Sequence, residues 1–570
     1  MLNTLIPIRL DQDEQLGAYL CKSLIRYWNT LRHLKLVQIY GRLWFKLRRP
    51  RIDCRAPPPQ RLSTGPWSRC AARSQSLIGP DTFLFLNRSE TLEKIGWDAS
   101  VVEKLWRYNQ HYFDDLNAEG ALKRTAWHLA LLKNWMQHNP VGQGTGWEPY
   151  PLSLRIVNWV KWTLAGNPMP VEGLHSLAIQ ARWLTKRLES HLLGNHYFSN
   201  AKALVFVGLM FEGAEAQIWL KKGLAIIAQQ LHEQVLPDGG NFERSPMYHS
   251  IFFEDLLDLI NVAQACPAQI GIDTIETWRE TAARMGTWLM GMVHPDGQIA
   301  LFNDAAFGVT PTPAELISYA DRLAVPVAGP VSSICNRVMA QQWPDSGYIR
   351  LVAKNAVALL DVAPIGPDYL PSHANADTLS FELSLFGQRV IVNGGTSRYG
   401  SCPQRLAERQ TAAHSTVEID GQSSSEVWGG FRVARRAYPF GLSMNQREHQ
   451  ISIGCSHNGY QRLLSKPIHR RQWEFAPNSL TVTDCVSGRF KEGIARYLFH
   501  PDLTLTVISP ASVQISLPNA KIVNMTILAG TARLVVGQHS AEFGRVRQTQ
   551  CLEVELSDNT ATVKIEWSNE

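Results

Sequence analysis

Two polar islands, far apart in the chain, carry the group types that proton-transfer chemistry uses. The first opens at Asn195 with NHYFSNAKAL and closes around Tyr248 with PDGGNFERSPMYH. The second is SHANADTLSFEL, residues 372–383, followed by TAAHSTVEIDG, residues 411–421. Asn195 brings an amide, His196 and His373 bring imidazoles, and Tyr248 brings a phenol. Such a set can neutralise a carboxylate while a proton leaves the carbon beside it. A phenol of pKa about 10 is a good acid and a poor base at neutrality, whereas an imidazole near about 6.5 takes or relays a proton with little tuning. Each residue also has a plainer use: Asn195 suits a helix cap, and a lone tyrosine usually packs.

These residues need two different frames. From residue 82 to about 325 the pattern is helical, with stretches near 178–193, 200–213, 217–235, 248–265 and 274–292. Successive helix pairs joined by short turns close naturally into a toroid whose inner ends present a groove. After 325–330 the period changes. TLSFELSLFGQRVIVNGG alternates on both sides of a Phe-Gly-Gln-Arg turn, and further short strands follow as far as 563–567, which predicts a large antiparallel sandwich. If residues 373–377 continue the strand, His373, Asn375 and Asp377 share one face. A site assembled from both islands lies in a cleft between two domains. The expected organisation is a basic helical extension and linker (1–81), a toroid domain (82–325) and a sandwich domain (326–570).

Several motifs occur in one order: WEPYPLSLRIVNWVKW, NHYFSNAKAL, GGNFERSPMYH, HANADTLSFEL, AAHSTVEIDG and SEVWGGFRVARRA. Together they resemble the heparinase II/III-like polysaccharide lyases, which cleave uronic-acid glycans by β-elimination. The resemblance implies a multidomain α+β chain, an incomplete (α/α) toroid followed by an antiparallel β-sandwich. It makes Asn195 the carboxylate neutraliser, Tyr248 the catalytic tyrosine, and His373 the first, catalytic position of a His-x-His-Ala-Asp pattern. Around them His196, Arg155 and Asn158 (SLRIVNW), Asn109 and His111 (RYNQHYF), Arg244 and Tyr399 are candidates to grip the substrate. Arg is favoured for carboxylates because its planar fork bonds them in two places. Some relatives bind structural zinc through the second His of that pattern, an Asp after the next strand and a later His. Here those positions hold Asn375, Asn393 and His414, so the expectation is a polar network without metal and a reaction without a cofactor. Ser199 stands where some members carry Glu, so their substrate range does not transfer.

At 570 residues, 45% hydrophobic and 19% charged, the chain reads as globular, and its net charge of +6 suits an acidic polymer. No basic-aromatic repeat or helix-turn-helix pattern points to nucleic acid. Nine cysteines without a CxxC pair argue against a disulfide framework or a thiolate zinc site. Residues 32–51, RHLKLVQIYGRLWFKLRRPR, hold seven Lys or Arg and no acid, with Leu36, Tyr40, Leu43 and Leu47 at helical spacing. Two readings stand open: a helix lying on an anionic membrane surface, or one docked on the main body with a solvated basic face. The N-terminus lacks signal-peptide character, which predicts a cytoplasmic or membrane-peripheral protein, periplasmic if exported by another route. The leading functional expectation is a lyase on an acidic glycan, such as a bacterial capsule, O-antigen or exopolysaccharide. The alternatives are a glycoside hydrolase using carboxyls among Asp238, Glu243, Glu254 and Asp255, and a non-catalytic glycan-binding component of an assembly system.

Overall fold

The structure is a computed structural model and describes residues 23–332 and 337–568. The first 22 residues of the expected N-terminal extension lie outside the described residues. The chain builds an (α/α) toroid followed by an antiparallel β-sandwich, the change falling between Arg322 and Met339.

Proline at the first helical turn, where its missing N–H costs nothing, starts helices Pro149–Leu164, Pro246–Ala265 and Pro313–Arg322. In the second of these, Ser245 also caps the helix by accepting the Tyr248 N–H at 3.2 Å. Pro246–Ala265 is buried almost throughout, from Met247 to Ala265, and runs through the toroid with its polar side chains answered by neighbours. Lys161 donates to Asp258 at 2.9 Å, and Lys202 to Asp255 at 2.7 Å. Tryptophans 106, 135, 159, 162 and 278 fill the space between helices.

In the sandwich, strands Met339–Trp343, Tyr348–Ala353, Ala356–Asp361, Phe381–Leu385 and Gln388–Ile391 pair antiparallel in chain order. This sheet faces an eight-stranded sheet in which inner strands alternate strictly, as in Ile468–Ala476 and Ser479–Ser487. Ile349, Leu351 and Leu383 from the first meet Trp473, Val482 and Val563 from the second in one core. A four-stranded sheet completes the domain. The Phe-Gly-Gln-Arg turn is a two-residue hairpin in which Phe386 and Gly387 both have positive φ, the geometry that matches strand twist.

Three expectations need correction. Residues 82–91 form a β-hairpin, Thr82–Phe85 with Arg88–Thr91, and not the start of the helical region. Its turn residues Leu86 and Asn87 adopt positive φ without a glycine to signal it. The helix expected at 178–193 is Val171–Lys186, and the next begins at Gly194. Leu193 and Gly194 both have positive φ, which breaks any continuous helix there. Residues 373–377 are not strand, so no alternation places His373, Asn375 and Asp377. The segment is held instead by the loop at 303–304: Asp304 N–H donates to His373 O (2.9 Å), Asn375 N–H to Asn303 Oδ1 (3.0 Å), and Asn303 N–H to Asp377 Oδ2 (3.0 Å).

Candidate active site

A groove of about 1280 Å³ runs between toroid and sandwich. Asn195, His196, Tyr248, His373 and Tyr399 all line it, although they come from both domains. The Tyr248 and His373 rings stack at 3.7 Å between centroids, and Tyr248 Oη lies 2.8 Å from Tyr399 Oη. Burial pushes both phenols well above the ordinary tyrosine range, so they stand protonated, as proton donors.

His373 is oriented from behind. Its Nδ1 lies 3.1 Å from Asp304 Oδ2, and Asp304 is clamped by both guanidinium nitrogens of the buried Arg405. Burial alone would raise the Asp304 carboxyl, but Arg405 and then His373 outweigh it and hold the group ionised below its usual range. With Nδ1 turned to the Asp304 carboxylate, Nε2 is the ring nitrogen left outside that contact. That nitrogen faces Glu243 Oε2 at 3.8 Å.

Asn195 sits in the first turn of helix Gly194–Met210, whose N-cap position is Leu193, so Asn195 is not the capping residue. Its backbone N–H is close enough to the Glu243 carboxyl to oppose in part the upward shift that burial imposes. Gly194 is required at this point: φ is +55°, and a Cβ would come within 2.8 Å of Glu243 Oε1. Glu243 Oε2 is buried without a protein partner, and burial pushes the carboxyl above its usual range. His196 stacks on Tyr150 at 4.3 Å, with Nδ1 3.2 Å from Glu189; burial would lower its pKa, but Glu189 raises it.

Of the remaining candidates, Asn109 and Asn158 line the groove, Asn158 bonded to Asp114 at 2.7 Å. Three candidates do not reach it. Arg155 is fully buried, bonded to Gln180 with its guanidinium 3.8 Å from the Trp135 ring centre. On its helix Leu154, Asn158 and Lys161 face the groove, and a one-residue offset turns Arg155 about 100° away. His111 accepts the Trp135 indole N–H at 3.0 Å and stacks on Trp97. Arg244, at φ +57°, donates to Ser346 O and Asp345 O and ties the toroid to the first sandwich hairpin. Sequence reasoning gave no role to Asp304, Arg405, Tyr150 or Phe431. Tyr150 and Phe431 lie within two of the quoted motifs, whereas Asp304 and Arg405 carry no local signal and only the fold brings them to His373.

With this geometry the chain can be compared with known proteins. Residues 116–315 match the model of the heparinase II/III N-terminus, and residues 337–568 that of the heparinase II/III-like C-terminal region. The chain belongs to the heparinase II/III-like family. Among curated proteins this family member is similar to the heparin-sulfate lyases of Pedobacter heparinus (24% identity over 323 residues, 51% of this chain and 47% of that protein) and Bacteroides stercoris (26% over 329 residues, 53% and 45%). The chain spans about half the length of the curated relatives it matches. Among solved structures it resembles a heparinase III, the BT4657 gene product (TM-score 0.61, 17% identity, 83% of this chain and 81% of that one). It likewise resembles the heparan sulfate lyase HepC of Pedobacter heparinus (TM-score 0.57, 17%, 94% and 88%). At these identities the structural likeness concerns the fold.

The zinc positions of some heparinase II/III-like members do not suit the metal here. His414 Nδ1 pairs with Asn393 Oδ1 at 3.1 Å, while Asn375 Oδ1, Asn393 Nδ2 and His414 Nε2 are buried without protein partners. The network is therefore a pair, with Asn375 outside it, and not the three-way set expected. Two neutral amides and one imidazole fall short of the imidazole, thiolate or carboxylate set that zinc prefers. Metal analysis of protein purified without chelator is expected to find well under one zinc per chain, with activity surviving later chelation. Stoichiometric zinc, lost together with activity, would contradict this.

Proposed function

We propose that this protein is a polysaccharide lyase that cleaves a uronic-acid glycan by β-elimination. The observation that carries the reading is the stacked Tyr248–His373 pair, with Asn195 and Glu243 in the same groove wall. In the proposed reaction His373 Nε2 takes the C5 proton, the C5–H electron pair becomes the C4=C5 double bond, and the C4–O bond breaks. Tyr248 gives its phenolic proton to the departing oxygen, and Tyr399 shares the hydrogen bond that positions it. Charge building on the uronate carboxylate is met by the Asn195 amide and by Glu243, whose neutral form is a donor. Glu243→Gln, which keeps a donor, is expected to retain far more activity than Glu243→Ala. Wild-type activity should fall as pH rises through the elevated Glu243 pKa, and Glu243→Gln should lose that limb of the pH profile.

A hydrolase is less well supported, because three of its four candidate carboxyls are committed, Glu254 to Arg73, Asp255 to Lys202, and Asp238 to the Ser346 N–H and hydroxyl, which leaves Glu243 without a second free carboxyl from that set. The deciding experiment incubates the protein with a panel of uronate polymers. A lyase produces ultraviolet absorbance from the conjugated double bond, a hydrolase produces reducing ends without it, and a binding protein produces neither.

Groove charge narrows the proposed substrate. Nine carboxyl groups, Glu243 among them, and six Lys or Arg line it, so acids outnumber cations even with Glu243 neutral. Five of those cations are paired: Arg73, Lys104, Lys161, Lys202 and Arg398. A densely sulfated polymer would meet net repulsion, so we infer a glycan in which uronates are spaced by uncharged sugars. Among the described residues Arg42 is the lining cation without a carboxylate partner. Arg42→Ala is expected to raise KM about twofold to fivefold with kcat unchanged, the size of an exposed charge contact.

A further inference from the structure

The two helices at the N-terminal end of the described chain are built inside out. In helix Leu36–Leu47, Gln38 is 2% exposed while Leu36 is 77% and Trp44 62% exposed; Ile39, Tyr40, Leu43 and Leu47 share that outer face. The inner face is fixed by specific contacts. Gln38 Nε2 donates to Tyr369 O at 3.0 Å, Phe45 packs on His191 at 4.5 Å beneath Arg187, and Gly41 allows the close approach, since a Cβ would come within 2.8 Å of His191 Cβ. The preceding helical stretch, residues 23–31, repeats the pattern: Asn29 is buried, whereas Trp28 is 67% exposed, with Leu24 and Leu31 also outward. It is held to the sandwich by Arg436 on Asn29 O (3.2 Å) and Trp428 Nε1 on Thr30 Oγ1 (3.1 Å). A helix that spends polar residues on docking and leaves Trp and Leu in water has a second surface to meet.

Charge identifies that surface. Residues 23–51 contain eight Lys or Arg and no acid. Among the described residues Lys35 alone of these has a carboxylate partner, Glu233. A second copy of the same face would bring two such clusters together. An acidic glycan would satisfy the cations and leave the apolar side chains wet. An anionic bilayer answers both, taking Leu and Trp into the headgroup layer, where aromatic side chains favour the boundary, while Lys and Arg meet phosphates. Among the described residues no helix is long and apolar enough to cross a membrane, so the contact is a surface one. We propose that residues 23–51 dock this protein on an anionic lipid bilayer. Arg42, on the same helix, lines the groove, so docking sets the groove mouth beside the membrane.

The test is sedimentation of the full chain with vesicles of phosphatidylcholine alone or with about one-third phosphatidylglycerol. Binding to the anionic vesicles is expected, weaker by at least ~10-fold on neutral vesicles or at ~0.5 M salt. The triple variant Trp28→Ser, Trp44→Ser, Leu47→Ser should lose at least ~10-fold in binding while keeping its circular dichroism and thermal midpoint, since these side chains are solvent-facing. A separate variant, Lys46→Glu with Arg49→Glu, should lose binding to the anionic vesicles. Failure of the wild type to sediment with anionic vesicles would overturn the proposal, as would equal binding by the triple variant. A wild-type dimer that the triple variant dissociates, without vesicle binding, would assign the face to a second copy instead.

Discussion

Tyr248→Phe is expected to lower turnover on the true substrate by ~10²–10⁴-fold, the usual contribution of general acid–base catalysis, with no loss of fold. The substitution removes one oxygen and keeps the ring that stacks on His373 at 3.7 Å. Burial holds the Tyr248 phenol protonated, so what disappears is a proton donor at the leaving oxygen, not an anionic base. The loss should appear in kcat and kcat/KM alike, because the bond to the departing oxygen strengthens in the transition state. Single-turnover ultraviolet assays alongside a thermal melt check both halves. Near-normal turnover would move the acid role to Tyr399, whose hydroxyl is 2.8 Å away.

Asp304→Ala is expected to cost about 3–5 kcal/mol of stability as well as activity, because it strands Arg405 as an uncompensated buried charge. Both side chains are fully buried, so water does not replace the lost partner cheaply. Asp304→Asn, with its shape kept, should fold better yet leave His373 without an ionised orienting group. Denaturant midpoints separate the two variants. The acid limb follows from the same ion pair. The Asp304 pKa is depressed in the folded state, so its contribution is fully present above the unfolded value of about 3.9 and fades as pH falls through the folded value. Asp304→Asn should therefore show a flatter loss of stability on acidification than the wild type.

The sequence by itself determined the two architectures and the family, because hydrophobic period is written locally: 3.6 residues through Ile272–Gly291, two through Ile468–Ala476. It also marked Asn195, Tyr248 and His373, whose neighbours form motifs. It did not determine which way side chains near those motifs point. Arg155 and His111 carry suitable chemistry, but a turn of helix faces them into a tryptophan-lined core. Nor did it determine what holds His373, since Asp304 and Arg405 lie 69 and 101 residues apart from His373 and Asp304 respectively, and pairing over such separations exists only once both domains have closed on the groove. The N-terminal arm divides in the same way. Its amphipathic period is in the sequence, but only the tertiary contacts of Gln38, Gly41 and Phe45 decide that the apolar stripe faces outward. A periodic pattern specifies that a face exists, and the packing around it decides what that face meets.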